Sequence, residues 1–195
     1  MKARILIVNG HPYPDSYCTA LTKAYAEGAA TAAHQPEVRE IHLSQLDFEP
    51  NLKYGFHQRM ELEPDLIQAQ ADIRWADHIV FVYPVWWGTM PAILKGFIDR
   101  VFLPGFAFKY RENSALWDKL LKGKSARMIV TMDTPPWYYK WVYNSAGHQV
   151  MKRNILQFCG IKPVRVTQIG PVRPSSAKKR TTWLEQVKKL GNQLS

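Results

Sequence analysis

The chain has 195 residues, 46% hydrophobic and 22% charged, enough for one domain spanning 1–195 with a core of its own. No apolar run approaches the roughly 20 residues of a membrane helix, and Ile5–Val8 is too short for a secretion signal. Charge is uneven: residues 1–94 carry 7 Lys/Arg against 11 Asp/Glu and residues 95–195 carry 19 against 5. The basic half would suit an anionic cofactor, nucleic acid or a membrane surface, but its cations are dispersed, as on a solvated face, and no nucleic-acid partner is expected.

Arg4–Asn9 reads as a first strand, apolar at consecutive positions as a central parallel strand requires. Gly10–Ser16 is a turn-rich loop. A helix follows from about Tyr17 to Ala33, with Asp15 or Ser16 as N-cap and an inner stripe of Leu21, Ala24, Tyr25, Gly28 and Ala32. A loop that leaves a central strand and opens a helix offers unpaired N–H groups to a phosphate, here with His11, Ser16, Tyr17 and Cys18 as donors. Glu37–Leu43 alternates, like a strand with one solvated face. Residues 47–64 form a long connection holding Phe48, Pro50, Tyr54 and Phe56, and Pro64–Trp75 is helical.

His78–Tyr83 is a strand buried on both faces. Pro84–Met90 is an irregular turn carrying Trp86 and Trp87, and a helix starts at Pro91, with Ile93, Leu94, Phe97, Ile98, Val101 and Phe102 on one face until Pro104-Gly105. Gly105–Tyr110 and a Lys-rich stretch of chain, 117–124, lead to a strand at Ala126–Met132. Asp133–Trp141 is a second aromatic loop. A helix from about Ser145 to Cys159 closes at Gly160, Val164–Ile169 is a fifth strand, and a last helix starts near Ser175 or Ser176 with Trp183, Leu184, Val187, Leu190 and Leu194 inside. Cys18 and Cys159 make neither a disulfide framework nor a metal cluster, so no metal is expected and the compartment is a reducing cytoplasm.

Five strands alternating with five helices make a doubly wound α/β sandwich, and the short length favours the flavodoxin-like strand order 2-1-3-4-5. Loops 10–18, 84–90 and 132–141 then meet at the carboxyl edge of the sheet. One supplies phosphate donors and two supply aromatic walls, which together suit a ligand with a phosphate tail and a planar ring.

The stretch YPVWWGTMPAILKGFIDRVFLPGFAFKY (83–110), with GHPYPDSYCTAL (10–21) and ILQFCG (155–160), resembles the NAD(P)H:quinone oxidoreductase family of flavodoxin-like flavin reductases, over roughly residues 3–170. The resemblance implies a bound flavin, a homodimer, NAD(P)H as co-substrate and two-electron, ping-pong reduction of quinones. It assigns His11, Ser16, Tyr17 and Cys18 to the flavin phosphate. Pro84, Val85, Trp86, Trp87 and Gly88 go to the ring edge, and Thr131, Met132, Asp133 and Thr134 to its pyrimidine side. The long 47–64 connection resembles members that carry FAD, favouring FAD over FMN. Many members have Thr-Thr-Gly-Gly at the third loop, followed by a tyrosine and a histidine that handle protons. Here Thr131-Met132-Asp133-Thr134-Pro135 replaces the first, Trp141 stands where the histidine would align, and His148 lies seven residues late, so that relay does not carry over residue by residue.

The remaining roles follow from chemistry. Backbone N–H groups of the 132–135 loop would stabilise charge on a reduced ring, Tyr138 or Tyr139 would donate a proton, and Trp137, Trp141, Phe106 and Phe108 would wall a quinone pocket. Two other functions use the same features: reduction of azo, nitro or free flavin compounds, or a non-catalytic flavoprotein subunit of a membrane transporter.

Overall fold

The computed structural model describes residues 2–55 and 57–193, so Phe56 and Leu194 lie outside the described residues. In chain order the elements are β1 (Arg4–Asn9), α1 (Tyr17–Ala30), β2 (Glu37–His42), α2 (Pro64–Trp75), β3 (His78–Pro84), α3 (Ala92–Val101), β4 (Phe108–Tyr110), β5 (Trp117–Lys119), β6 (Ser125–Thr131), α4 (Pro136–Trp141), α5 (Ala146–Gln149), β7 (Val164–Ile169) and α6 (Ala177–Asn192). Five strands form one parallel sheet in the order β2-β1-β3-β6-β7, the expected flavodoxin-like arrangement, with Asn9 of β1 registered between Val82 and His42.

Alternate residues of each strand feed two separate cores, which is why the strands read as unbroken apolar runs. Leu6, Val8, Ile79, Phe81, Tyr83, Met128 and Val130 pack towards α2, α3 and the segment after α5, while Ile5, Ile7, Val80, Val82 and Ile129 pack towards α1 and α6. The α1–α6 pair crosses at glycine: a Cβ on Gly28 would stand 1.9 Å from the Lys188 carbonyl oxygen, and one on Gly191 2.1 Å from that of Tyr25.

Three segments differ from the sequence reading. The aromatic stretch after β6 is helical from Pro136, because Pro136 falls at the first helical turn, where its missing N–H costs nothing. The expected helix of 145–159 is α5 followed by a π-helix at Val150–Gln157, wound wider than the α repeat. The Lys-rich stretch contains β5, paired antiparallel with β4. Helix α1 also stops at Ala30, where Thr31 caps it by giving its hydroxyl proton to the Gly28 carbonyl at 2.9 Å.

Candidate functional site

The turn after β1 is shaped by Asn9, which is fully buried at the end of the strand. Its Nδ2 donates to Thr19 Oγ1 at 2.9 Å and its Oδ1 accepts from the His11 N–H at 3.2 Å, so one side chain ties strand, turn and helix together. His11 Nδ1 accepts the Tyr13 N–H at 3.0 Å, leaving Nε2 to carry the proton, and burial lowers the pKa of the ring. Ser16 is the N-cap of α1: its Oγ accepts from Thr19 N at 3.2 Å. The N–H groups of Tyr17 and Cys18 fall in the first turn, where no intrahelical acceptor exists. The Cys18 thiol is buried against Thr131 Oγ1 at 3.5 Å and burial pushes its pKa up to about 12, so it stays neutral.

After β3 the chain makes a tight turn closed at both ends, Trp86 N to Thr89 O at 2.8 Å and Thr89 N to Trp86 O at 3.0 Å. Trp87 and Gly88 at its tip are both left-handed, with φ of 49° and 78°. Trp86 meets the His11 ring edge-on at 5.4 Å between centroids, joining the first and second loops. In the third loop, Met132 N–H is taken by Ile169 O at 2.9 Å and Pro135 has none, so among the described residues Asp133 and Thr134 are left to supply N–H groups to a ligand. The Asp133 carboxylate accepts from Arg173 N at 2.8 Å and fastens this loop to the one after β7.

Two adjoining clefts result. The first, of ≈ 190 Å³, is lined by His11, Tyr17, Cys18, Pro84, Val85, Trp86, Thr131, Met132, Asp133 and Val172. Ser16 lies at its helix end. The second, of ≈ 620 Å³, is lined by Val85, Trp87, Gly88, Thr89, Thr134, Tyr139, Tyr143, Ala146, Gly147 and Val150. All three expected loops therefore meet. Trp137, Tyr138 and Trp141 are exposed on α4, with Trp137 and Tyr138 edge-on at 5.6 Å.

Three placements differ from expectation. Phe106 is buried beside Phe102 and under the Arg74 guanidinium, and Phe108 packs on Phe158 at 5.1 Å, so neither lines either cleft of its own chain. The Gly105 turn, closed by Gly105 N to Phe108 O, sends Phe106 into the core and Phe108 onto the β4 surface. The Tyr139 hydroxyl is already engaged: it donates to Gly88 O at 2.9 Å and accepts from Gly147 N at 2.9 Å, whereas Tyr138 is 37% exposed and its hydroxyl has no hydrogen-bond partner among the described residues. His148 is buried against the Tyr139 ring, 4.9 Å between centroids, with Nε2 2.9 Å from Gln168 Nε2, and burial lowers its pKa to about 4.

The reading of the sequence did not include the segment after β7. Val172 walls the first cleft, and Arg180 at the start of α6 accepts the Tyr17 hydroxyl at its carbonyl, 2.8 Å away. The signal available in the sequence was that this segment, like the other three loops, leaves a strand of the parallel sheet at its carboxyl end.

A third cavity of ≈ 250 Å³ lies remote from these loops, between 52–60 and Arg100, Leu103 and Pro104. Arg100 is fully buried, and its guanidinium is spent on the Glu63 carboxylate at 2.8 Å and on the carbonyl oxygens of Glu49 and Glu61. It staples the 47–64 connection to α3. Among the described residues, no helix is long and apolar enough to cross a membrane.

A five-stranded parallel sheet with helices on both faces and loops converging at its carboxyl edge defines a doubly wound α/β protein of flavodoxin-like topology. Residues 3–193 match the family model described as the flavodoxin-like fold, and the chain belongs to that family. It is 33% identical over 148 residues to an uncharacterized NAD(P)H oxidoreductase of Haemophilus influenzae, covering 73% of this chain and 72% of that one. A ribosyldihydronicotinamide dehydrogenase-like protein of Penicillium crustosum is 34% identical, with 66% of this chain matching only 57% of its length. The rat ribosyldihydronicotinamide dehydrogenase [quinone] is 26% identical over 96% of this chain and 91% of its own. Among solved structures, Smu.1420 of Streptococcus mutans is similar with a TM-score of 0.83 and 33% identity, covering 97% and 99% of the two chains.

Proposed function

We propose that this oxidoreductase holds a flavin in the first cleft and passes two electrons from NAD(P)H to quinones. The observation that carries the reading is the meeting, at one sheet edge, of an open helix N-terminus with a turn bearing two tryptophans. The donor set fits the group: unpaired N–H groups of Tyr17 and Cys18, the Ser16 hydroxyl and the His11 Nε2–H suit a phosphate, and Trp86 and Val85 suit a flat ring. The Haemophilus influenzae relative is named an NAD(P)H oxidoreductase and the rat relative a ribosyldihydronicotinamide dehydrogenase [quinone], which supports the reading.

When bound, a flavin supplies the hydride transfer itself. The chain's residues bind, orient and shield. Ser16 and the first turn of α1 hold the phosphate. The Asp133 and Thr134 N–H groups would serve as preorganised donors to the ring of the bound flavin. Trp87, Tyr143 and Val150 in the second cleft, with Trp137 and Trp141 outside it, provide flat apolar surface for nicotinamide and quinone in turn. Tyr138 has the hydroxyl free to hand a proton to the acceptor.

Arg173 is tied by its N–H to Asp133 of the cleft and the Arg180 guanidinium lies on the carbonyl of the cleft residue Val172, so two cations on this segment offer counter-charge for a pyrophosphate, which favours FAD over FMN. Trp87, Trp137, Trp141 and Tyr143 leave a broad apolar surface exposed, which a homodimer would cover.

The test uses the purified protein. A yellow colour, bleaching on NADH or NADPH and restoration by a quinone are expected, with FAD released on denaturation and identified by chromatography. Faster turnover with azo compounds or free flavin than with quinones would replace the substrate class. A colour that NAD(P)H does not bleach would make the chain a non-catalytic flavoprotein. Failure to bind either FAD or FMN at micromolar levels would refute the reading.

A further inference from the structure

We infer that Tyr139 is a positioning residue whose hydroxyl pins the Trp86–Thr89 turn to the start of α5 and so sets the pose of Trp87. The inference rests on the flavin reading for its functional consequence, but its structural half stands alone.

The direction of each hydrogen bond is fixed. Gly147 N–H can only donate, so the Tyr139 oxygen accepts there; the Gly88 carbonyl can only accept, so the one hydroxyl proton goes to it, each at 2.9 Å. The ring is buried at 1% exposure, which leaves no second proton to offer a substrate. The Tyr139 carbonyl also accepts the Ser145 N–H at 3.0 Å. One residue thus grips both neighbours.

Both neighbours need gripping. Trp87 on one side and Ser145 on the other are left-handed, with φ of 49° and 50°, a region that side-chain-bearing residues disfavour. They approach so closely that a Cβ on Gly147 would stand 2.3 Å from Gly88 O and 2.7 Å from the Tyr139 hydroxyl. Trp87 itself is 103% exposed, so no packing holds its indole. Its direction over the second cleft is inherited from the backbone, and the backbone is held at Gly88 by Tyr139.

The test compares wild type, Tyr139→Phe, Trp87→Ala and the double variant. Trp87→Ala removes a side chain that packs on nothing and should fold as wild type. For Tyr139→Phe the expected results are faster exchange of the Gly147 amide by NMR and a rise of about tenfold in acceptor KM, with kcat and its pH profile unchanged. Trp87→Ala should raise KM similarly, and the double variant should be no worse than the worse single one, because both act through the same indole. A fall in kcat with altered pH dependence at constant KM would make Tyr139 the proton donor and overturn the inference, as would additive KM effects or an unchanged Gly147 amide. If Tyr139→Phe does not fold, Gly147→Ala opens the same contact while keeping the hydroxyl, and the same KM rise is expected. If the wild type binds no flavin, the functional reading fails, while the Gly147 amide still decides whether the pin exists.

Discussion

Replacing Arg100 with methionine tests how the 47–64 connection is held. The substitution keeps the length and apolar stem of the side chain and removes every hydrogen bond to Glu49, Glu61 and Glu63. Breaking a buried ion pair from one side costs about 3–5 kcal/mol, because the remaining partner is left uncompensated. Glu63 is 29% exposed, so water recovers part of that loss, and about 2–4 kcal/mol remains. In a chain of this size a loss of about 3 kcal/mol lowers Tm by about 6–12 °C. Urea unfolding followed by tryptophan fluorescence measures it. Changing Glu63 to leucine in the same chain should return part of the stability, since a paired apolar replacement leaves no orphaned carboxylate. A loss below about 1 kcal/mol for Arg100→Met alone would show that water replaces the guanidinium, and the staple would be discarded.

Gly28→Ala should force α1 and α6 apart, since its Cβ would overlap the Lys188 carbonyl; a loss of about 2 kcal/mol or more is expected in urea unfolding. Ser16→Ala removes the cap of α1 and should cost about 1 kcal/mol, with a rise in flavin Kd measured by fluorescence titration beyond what the stability loss explains. Burial lowers the pKa of His78 to about 4, so the unfolded chain binds this proton more readily between pH 6.5 and about 4. Stability from His78 is therefore complete above pH 6.5 and falls by up to about 3 kcal/mol as pH drops to about 4, a slope that His78→Asn should flatten in thermal scans.

The strands were legible because burial on both faces writes itself as an uninterrupted apolar run, as in Ile5–Val8 and Ile79–Tyr83. The cap of α1 was legible to within Asp15 and Ser16, because capping demands a short polar side chain before a helical stripe, and the fold picks Ser16. Turns at the ends of those strands then followed from the topology. Other features depend on facts that no local pattern holds. Tyr138 and Tyr139 are neighbours of one kind, and only the phase of α4 decides that Tyr139 points inward while Tyr138 faces out. Phe106 and Phe108 alternate, but the Gly105 turn determines which is core. The π-helix has no signature of its own in Val150–Gln157, and β4 and β5, of three residues each, are too short to show a period. Val172 and Arg180 reach the cleft from the far side of β7, a proximity that exists only after folding.

Helix α6 has a share in the cleft out of proportion to its distance along the chain. It meets α1 backbone to backbone at Gly28 and Gly191, bonds to Thr31 through Asn192 at one end and takes the Tyr17 hydroxyl at the other. The first turn of α1 is thus braced by a residue 163 positions further along the sequence. Until α6 docks in folding, the opening of α1 lacks that brace, and a bulky fusion pressed against α6 would be felt at Ser16 before it disturbed the sheet.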